Sequence, residues 1–323
     1  MPGQRFSSWT IQPVTEESVA LDERIPIGGW NYSAAFSRNL GLITPSEQER
    51  LRRTCVAIAG MGGVGGVHLV TLARLGVGAF HLADLDRYEV ANFNRQYGAT
   101  VGTIERPKVD VMAEIVKQIN PDVIVTCFPM GLTRENCREF VQGTNLVLDG
   151  IDFFAIEARR ILFQAAREEQ LYALTAGPLG FGATLHIVSP SGMSFDEYFD
   201  LHDGMSRLDQ LIAFAVGLAP RGLHLQYLDL TQVDFHAEVG PSSSIACQLS
   251  SALIGAESVG ILLNRAAPRA VPHYFHFDPY LHRYVKGTLR GGNRQLRQRF
   301  KRWYFKRRLS QAGAIGPPQS GTS

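Results

Sequence analysis

The run Cys55-Val56-Ala57-Ile58-Ala59, feeding directly into Gly60-Met61-Gly62-Gly63-Val64-Gly65, constrains this chain more than any other feature. A short apolar run bounded by glycine reads as a buried strand. Val64 to Leu75 has helical spacing, and Gly76 is placed to end it. A strand that turns through glycines into a helix gathers backbone N–H groups and the positive end of the helix at one point, which suits a phosphate. Thr54–Ala73 is uncharged and long enough to suggest a membrane span. Five glycines and His68 within it favour strand, turn and helix instead.

The same alternation repeats. Phe80–Ala83, Asp122–Cys127, Asn145–Leu148 and Tyr172–Thr175 read as strands; Pro107 to Ile119, Thr133–Val141 and Ala155–Glu168 read as helices. An earlier helix starts at Thr44-Pro45-Ser46-Glu47, with a threonine cap, a proline in the first turn and a glutamate to close a capping box. Short apolar strands with helical crossovers predict a mostly parallel sheet covered on both faces. After Gly182 the alternation weakens. Ala183–Val188 reads as a strand returning antiparallel, Ser244–Leu263 as a long apolar helix and His273–Phe277 as a late strand. The expected fold is α/β: Rossmann-like and three-layered, with a mostly parallel sheet becoming mixed in the C-terminal half. Residues 1–23 read as an extension, 24–285 as a nucleotide-binding domain, and 286–323 as a basic C-terminal helix and disordered tail.

Charge matters here through its distribution. Eleven of the 32 Lys and Arg and none of the 30 Asp and Glu lie beyond Asp278, which leaves +11 there and −9 in the rest of the 323 residues. Arg290 to Arg308 reads as a helix with Leu296, Phe300, Trp303 and Tyr304 at helical spacing among nine basic residues. A docked helix with a solvated basic face is the plain expectation; RNA, an acidic partner or a membrane surface are the sharper ones. Cys55, Cys127, Cys137 and Cys247 form no C-x-x-C pair, so neither a zinc site of the usual spacing nor a disulfide framework is expected. His273 and His276 fall on opposite faces of their strand, which argues against a metal cluster there. The N-terminus lacks an apolar secretory core, and a cytoplasmic protein without a transmembrane segment is expected.

The polar residues after the glycine loop narrow its ligand. Gly60, Gly62, Gly63 and Gly65 serve NAD or ATP alike. Asp84, with Asp86 beside it, lies about twenty residues on, where a ribose is usually held. Asn92, Asn94, Arg95 and Gln96 then crowd one loop, and Lys108 opens the next helix. A planar guanidinium and a point-charge ammonium suit a triphosphate, which needs more neutralisation than a dinucleotide. Asp149 and Asp152 end a buried strand, where carboxylates can hold Mg²⁺ together with phosphate oxygens. Asp149 could instead bond the backbone of its turn, and Asp152 could cap a helix.

In order, these residues resemble those of the ThiF/MoeB/HesA-like adenylyltransferases of the ubiquitin-activating superfamily. The match runs through Gly60–Gly65, Asp84-Leu85-Asp86, Asn92-Phe93-Asn94-Arg95-Gln96, Arg106-Pro107-Lys108 and Leu148-Asp149-Gly150-Ile151-Asp152, with Ser37-Arg38-Asn39-Leu40 upstream and Ile254-Gly255-Ala256-Glu257 late in the chain. The resemblance implies an ATP- and Mg²⁺-dependent enzyme that activates a carboxylate, often the end of a small ubiquitin-like carrier, as an acyl-adenylate with release of pyrophosphate. It implies that Asp84 holds ribose, Arg95 and Lys108 hold phosphates, and Asp152 holds Mg²⁺. It also implies that Arg38 reaches into a second subunit, and hence a homodimer.

The chain departs from the family in three places. The segment where a first C-x-x-C pair would fall reads Ser194-Phe195-Asp196-Glu197-Tyr198, so structural zinc is not expected. Phe153 and Glu157 stand where relatives carry asparagine and a basic residue. Cys247 is the one cysteine near the late helix, and a buried structural thiol is the plainer reading of it than a thioester-forming one. Other readings are ATP-dependent dehydration of a tRNA nucleoside, a nicotinamide-dependent oxidoreductase, and a scaffold that has kept the fold.

Overall fold

The computed structural model describes residues 29–235, 237–313 and 315. The extension expected over 1–23 lies outside the described residues, as does most of the expected disordered tail. In chain order the elements are α1 (Tyr32–Ala35), α2 (Pro45–Arg52), β1 (Cys55–Ala59), α3 (Gly65–Arg74), β2 (Ala79–Ala83), α4 (Lys108–Ile119), β3 (Ile124–Phe128), α5 (Cys137–Val141) and β4 (Leu146–Asp149). They continue with α6 (Ile156–Glu168), β5 (Ala173–Leu179), β6 (Gly182–Val188), α7 (Phe195–Phe199), α8 (Arg207–Leu218), α9 (Ser244–Leu262), β7 (His273–Asp278), β8 (Arg283–Thr288) and α10 (Leu296–Gln311).

Among the described residues eight strands form one sheet, in the order β3-β2-β1-β4-β5-β6-β7-β8. The first five pair in parallel and the last three antiparallel, with Ala59 beside both Ala83 and Asp149. The order reverses at β1: the chain runs outward through β2 and β3, then returns to β4 on the other side. That crevice, at the carboxyl ends of β1 and β4, is where open sheets of this kind take ligands.

Period-two alternation fills both faces. Val56, Ile58, Leu146 and Leu148 pack with Leu69 and Leu72 of α3, Met112 of α4 and Ile254 of α9. Ala57, Ala59 and Val147 point the other way, among Phe140, Leu162, Phe163 and Phe214 of α5, α6 and α8. Helix α9 is apolar and long enough to cross a membrane. Here half of it is buried, against α3, β5 and β6. The uncharged stretch from Thr54 to Ala73 resolves into β1, the glycine turn and α3. Thr44 caps α2, and Glu47 returns the hydrogen bond to its backbone, as the sequence predicts.

The C-terminal half holds what the pattern did not announce. Strand β8 pairs along its length with β7, so the division expected after residue 285 falls inside a strand. The acidic stretch 194–209 folds as α7 and the start of α8, with Ser194 and Ser206 as their caps. It receives the basic tail: Asp200 pairs with Arg294 and Arg302, and Asp209 with Lys306. The uneven charge of the sequence is thus partly neutralised within the molecule.

Among the described residues His68, His186, His224 and His276 are buried, and His68 and His276 have neither ring nitrogen hydrogen-bonded. Burial pushes His68 and His186 down to about 3 and His224 and His276 to about 4. The folded state therefore holds them neutral, while the unfolded chain takes up protons below about 6.5. Stability should fall as pH drops from about 6.5 towards 4, because the unfolded state binds more protons there. Denaturant midpoints across that range check it, and His68→Leu should flatten the slope.

Candidate functional site

Three glycines from three elements meet at the head of the sheet. Gly60 has a φ of +88°, and a Cβ on it would stand 2.2 Å from the Gly150 carbonyl oxygen. A Cβ on Gly65 would stand 1.7 Å from the Gly60 oxygen, and one on Gly150 2.7 Å from the Gly65 Cα. Strand β1, helix α3 and the end of β4 therefore touch backbone to backbone. This contact aims the first turn of α3 into the crevice where the strand order reverses. No side chain caps α3, and the N–H groups of Gly62, Gly63, Val64 and Gly65 make no hydrogen bond among the described residues. Unengaged N–H groups at a helix start form an anion site.

Asp84, following β2, braces this loop. Its Oδ2 accepts from the Met61 N–H at 2.6 Å and its Oδ1 from the Asp86 N–H at 2.8 Å. Burial pushes its carboxyl above the usual range, opposed by those two hydrogen bonds and by Lys108. Lys108 is buried at the start of α4 and donates from Nζ to Asp86 Oδ2 at 2.9 Å. Asp86 is more than half exposed, so the pair opens towards solvent on the carboxylate side only.

The loop after β2 closes the other rim. The buried Asn92 accepts the Glu89 N–H at 3.1 Å, which fixes the loop's first turn. Arg95 donates to the Ala91 carbonyl at 3.0 Å and to Asn94 Oδ1 at 2.9 Å. Asn94 in turn donates to the Ser242 carbonyl at 2.9 Å, tying the loop to the start of α9. Gln96 and Arg95 flank the glycines: a Cβ on Gly62 would lie 3.6 Å from the Gln96 amide, and one on Gly63 3.5 Å from the Arg95 side chain. Hydrogen bonds and close approaches thus link the glycine loop to Asp84, Asp86 and Lys108 and to Arg95 and Gln96, while Asn92 is engaged in the turn of its own loop.

Asp149 and Asp152 part company. Asp149 is buried, accepting from Arg159 Nε at 2.7 Å and from the Ile151 N–H at 3.0 Å. Its carboxylate is turned into the protein, a structural partner for Arg159, and not open to the crevice as a nucleotide-binding residue would be. Asp152 is exposed, and its Oδ1 accepts from the Phe154 N–H at 2.9 Å. Its other oxygen is free to take a cation. Among the described residues no group of three or more His, Cys, Asp and Glu could hold a metal ion. The donor set fits Mg²⁺ held by one carboxylate and phosphate oxygens, the mode in which Mg²⁺ keeps most of its water.

Phe153 packs against Phe154 and Phe214, at centroid distances of 5.1 and 5.5 Å. Glu157 pairs with Arg134 and with Arg160 at 3.4 Å. Arg134, from the loop after β3, thus brings a guanidinium to Glu157 in the first turn of α6. Nothing in the sequence marks Arg134 or Arg159 for these roles, since both partnerships join residues on separate elements. Arg38 lies apart. It is exposed on a 3₁₀ turn, Ser37–Asn39, whose Asn39 donates to the Leu75 carbonyl at the far end of α3. That helix is about 15 Å long, so this chain's own Arg38 does not reach its glycine loop.

Cys247, in the first turns of α9, is buried, and a Cβ on Gly63 would come within 2.9 Å of its Sγ. Burial pushes the thiol up, against the opposing effects of a hydrogen bond to Ser242 and the charge of Arg95. A thiol so held is protonated at neutral pH and fills space between α9 and the glycine loop.

If Asp149 serves Arg159, removing it strands a buried cation. Asp149→Ala should cost about 3–5 kcal/mol of stability in urea unfolding, and pairing it with Arg159→Met should recover much of that loss.

The ThiF family pattern matches residues 36–295, about four fifths of the chain. The tRNA threonylcarbamoyladenosine dehydratase of Haemophilus influenzae is 35% identical over 46% of this chain and 57% of its own length. The sulfur carrier protein adenylyltransferase of Thermus thermophilus is 36% identical over 44% of this chain and 49% of its own. The chain spans about half the length of the curated relatives it matches. Among solved structures, E. coli MccB with ATP superposes with a TM-score of 0.61 at 16% identity, covering 80% of this chain and 71% of that one, a likeness of fold.

Proposed function

The chain belongs to the ThiF family, and on that premise we propose that it is an ATP-dependent adenylyltransferase. A carboxylate attacks the α-phosphate of ATP, giving an acyl-adenylate and pyrophosphate. The observation that carries this reading is the uncapped start of α3, with its unengaged N–H groups, Arg95 packed beside Gly63, and Lys108 linked to the loop through Asp86 and Asp84. Phosphoryl-type transfer needs charge neutralisation and placement more than covalent help. In this reading the N–H groups and the two cations receive the phosphates, and Asp84, still able to accept a further hydrogen bond, receives the ribose. Asp152 holds Mg²⁺, which would neutralise charge developing on the leaving pyrophosphate. The protein acts in the cytoplasm, and a homodimer brings Arg38 of each copy to the other's crevice.

The acceptor we propose is the C-terminal carboxylate of a small carrier protein or peptide, the class named for the Thermus thermophilus relative. A tRNA nucleoside is the second reading, supported by the Haemophilus influenzae relative. ATP–pyrophosphate exchange separates them: carrier-dependent exchange supports the first, and tRNA-dependent ATP consumption without it supports the second.

Each charge-assisted contact to phosphate is worth about 1.5–3 kcal/mol. Arg95→Ala and Lys108→Ala should each lower acceptor-dependent exchange by about tenfold to a hundredfold, measured on variants shown to be folded. Exchange that survives Asp152→Ala across a magnesium titration would remove that residue from the metal site.

A further inference from the structure

Helix α10 has two faces with different partners. Its inner face docks on α8: Gln298 and Leu309 are buried, Lys301 donates to the Pro220 carbonyl at 2.6 Å, and Arg302 and Lys306 pair with Asp200 and Asp209. Its outer face carries Leu296, Phe300, Trp303 and Tyr304, exposed by 79%, 63%, 56% and 48%. These four recur at i, i+4, i+7 and i+8, so they form one ridge along the helix. Arg297 and Arg308 border the ridge on one side and Arg299 on the other, all exposed and without an ion pair among the described residues.

We propose that α10 lays this ridge on an anionic phospholipid bilayer, as a peripheral anchor. A ridge of Leu, Phe, Trp and Tyr between rows of arginine matches the layering of a membrane surface. Apolar side chains enter the boundary of the acyl region while guanidinium groups stay level with the phosphates. Charge complementarity selects an anionic surface, since α10 has no acidic residue. The aliphatic end of the ridge also favours lipid over nucleic acid. Phe300 stacks with Tyr304 at an interplanar angle of 14° and leans on Trp303, whose other neighbour is the Arg307 guanidinium 5.8 Å away. They form one exposed aromatic strip in line with Leu296. Leu296, the most exposed of the four, has no use against a base.

The full-length protein is spun down with vesicles of phosphatidylcholine containing about 30% phosphatidylserine, and with phosphatidylcholine alone, at low and high salt. Binding to the anionic vesicles only, weakened by salt, is expected, with a blue shift of tryptophan emission that Trp303→Phe abolishes. Arg297→Glu with Arg299→Glu should lower the bound fraction by at least about tenfold. Phe300→Glu with Trp303→Glu should abolish binding without moving the unfolding midpoint, since both side chains are exposed. No sedimentation with anionic vesicles overturns the proposal. So does binding of tRNA that these substitutions disrupt when vesicles are not bound, or a change of oligomeric state on Phe300→Glu in their place. None of these readouts depends on adenylyltransferase activity.

Discussion

The close approach of Gly60, Gly65 and Gly150 holds the rest of the structure in place. A methyl group at any of the three would separate β1, α3 and β4, and with them the crevice at the reversal of strand order. Everything chemical about the molecule follows from that contact. It sets the start of α3 level with the ends of the strands and leaves its N–H groups facing outward. Around it, polar side chains serve as braces before they serve as ligands: Asp84 holds the loop, Asn92 the neighbouring turn and Arg159 the end of β4.

The second organising interaction is the pairing of an acidic segment with a basic one. Residues 194–209 and α10 are far apart in sequence and opposite in charge, and Asp200 alone meets two arginines. Exposed pairs of this kind are worth little singly. Arg302 and Asp200 are both mostly buried, so this one pair is better shielded from salt than its neighbours. Its role is orientation as much as stability: it fixes which side of α10 faces inward, and so which side faces out.

Much of the first half was legible in the sequence because its signals are local. A threonine cap followed by Pro45 and Glu47, an apolar run between glycines, and a period-two strand each depend on residues close together, and α2, β1, α3 and β4 appear where they were expected. The start of the helix read from Thr133 shifted: only Cys137–Val141 is helical, because Thr133 and Asn136 bond one another's backbone in a preceding turn. Strand β8 escaped notice because it is an edge whose Arg283, Tyr284 and Lys286 face solvent or a shallow groove, so no apolar alternation marks it. Helix α8 escaped because its run from Leu211 to Leu218 is apolar on nearly every face. In the site, the crevice residues were readable from their order, whereas the burial of Asp149 was not. Its fate depends on Arg159, ten positions on, folding back across the turn, and no periodicity encodes that.

The masking of positive charge around the crevice bears on how a polyanion arrives. Lys108 already has Asp86, whereas Arg95 is held by a carbonyl and an amide oxygen and keeps its charge. Seen from beyond a Debye length, the Lys108–Asp86 pair projects little net field. Under the proposed function, capture of a nucleotide would be an exchange on contact, a phosphate oxygen taking over the Lys108 ammonium as the half-exposed Asp86 carboxylate turns towards water. Recognition built that way would discriminate at this lysine by fit more than by long-range attraction.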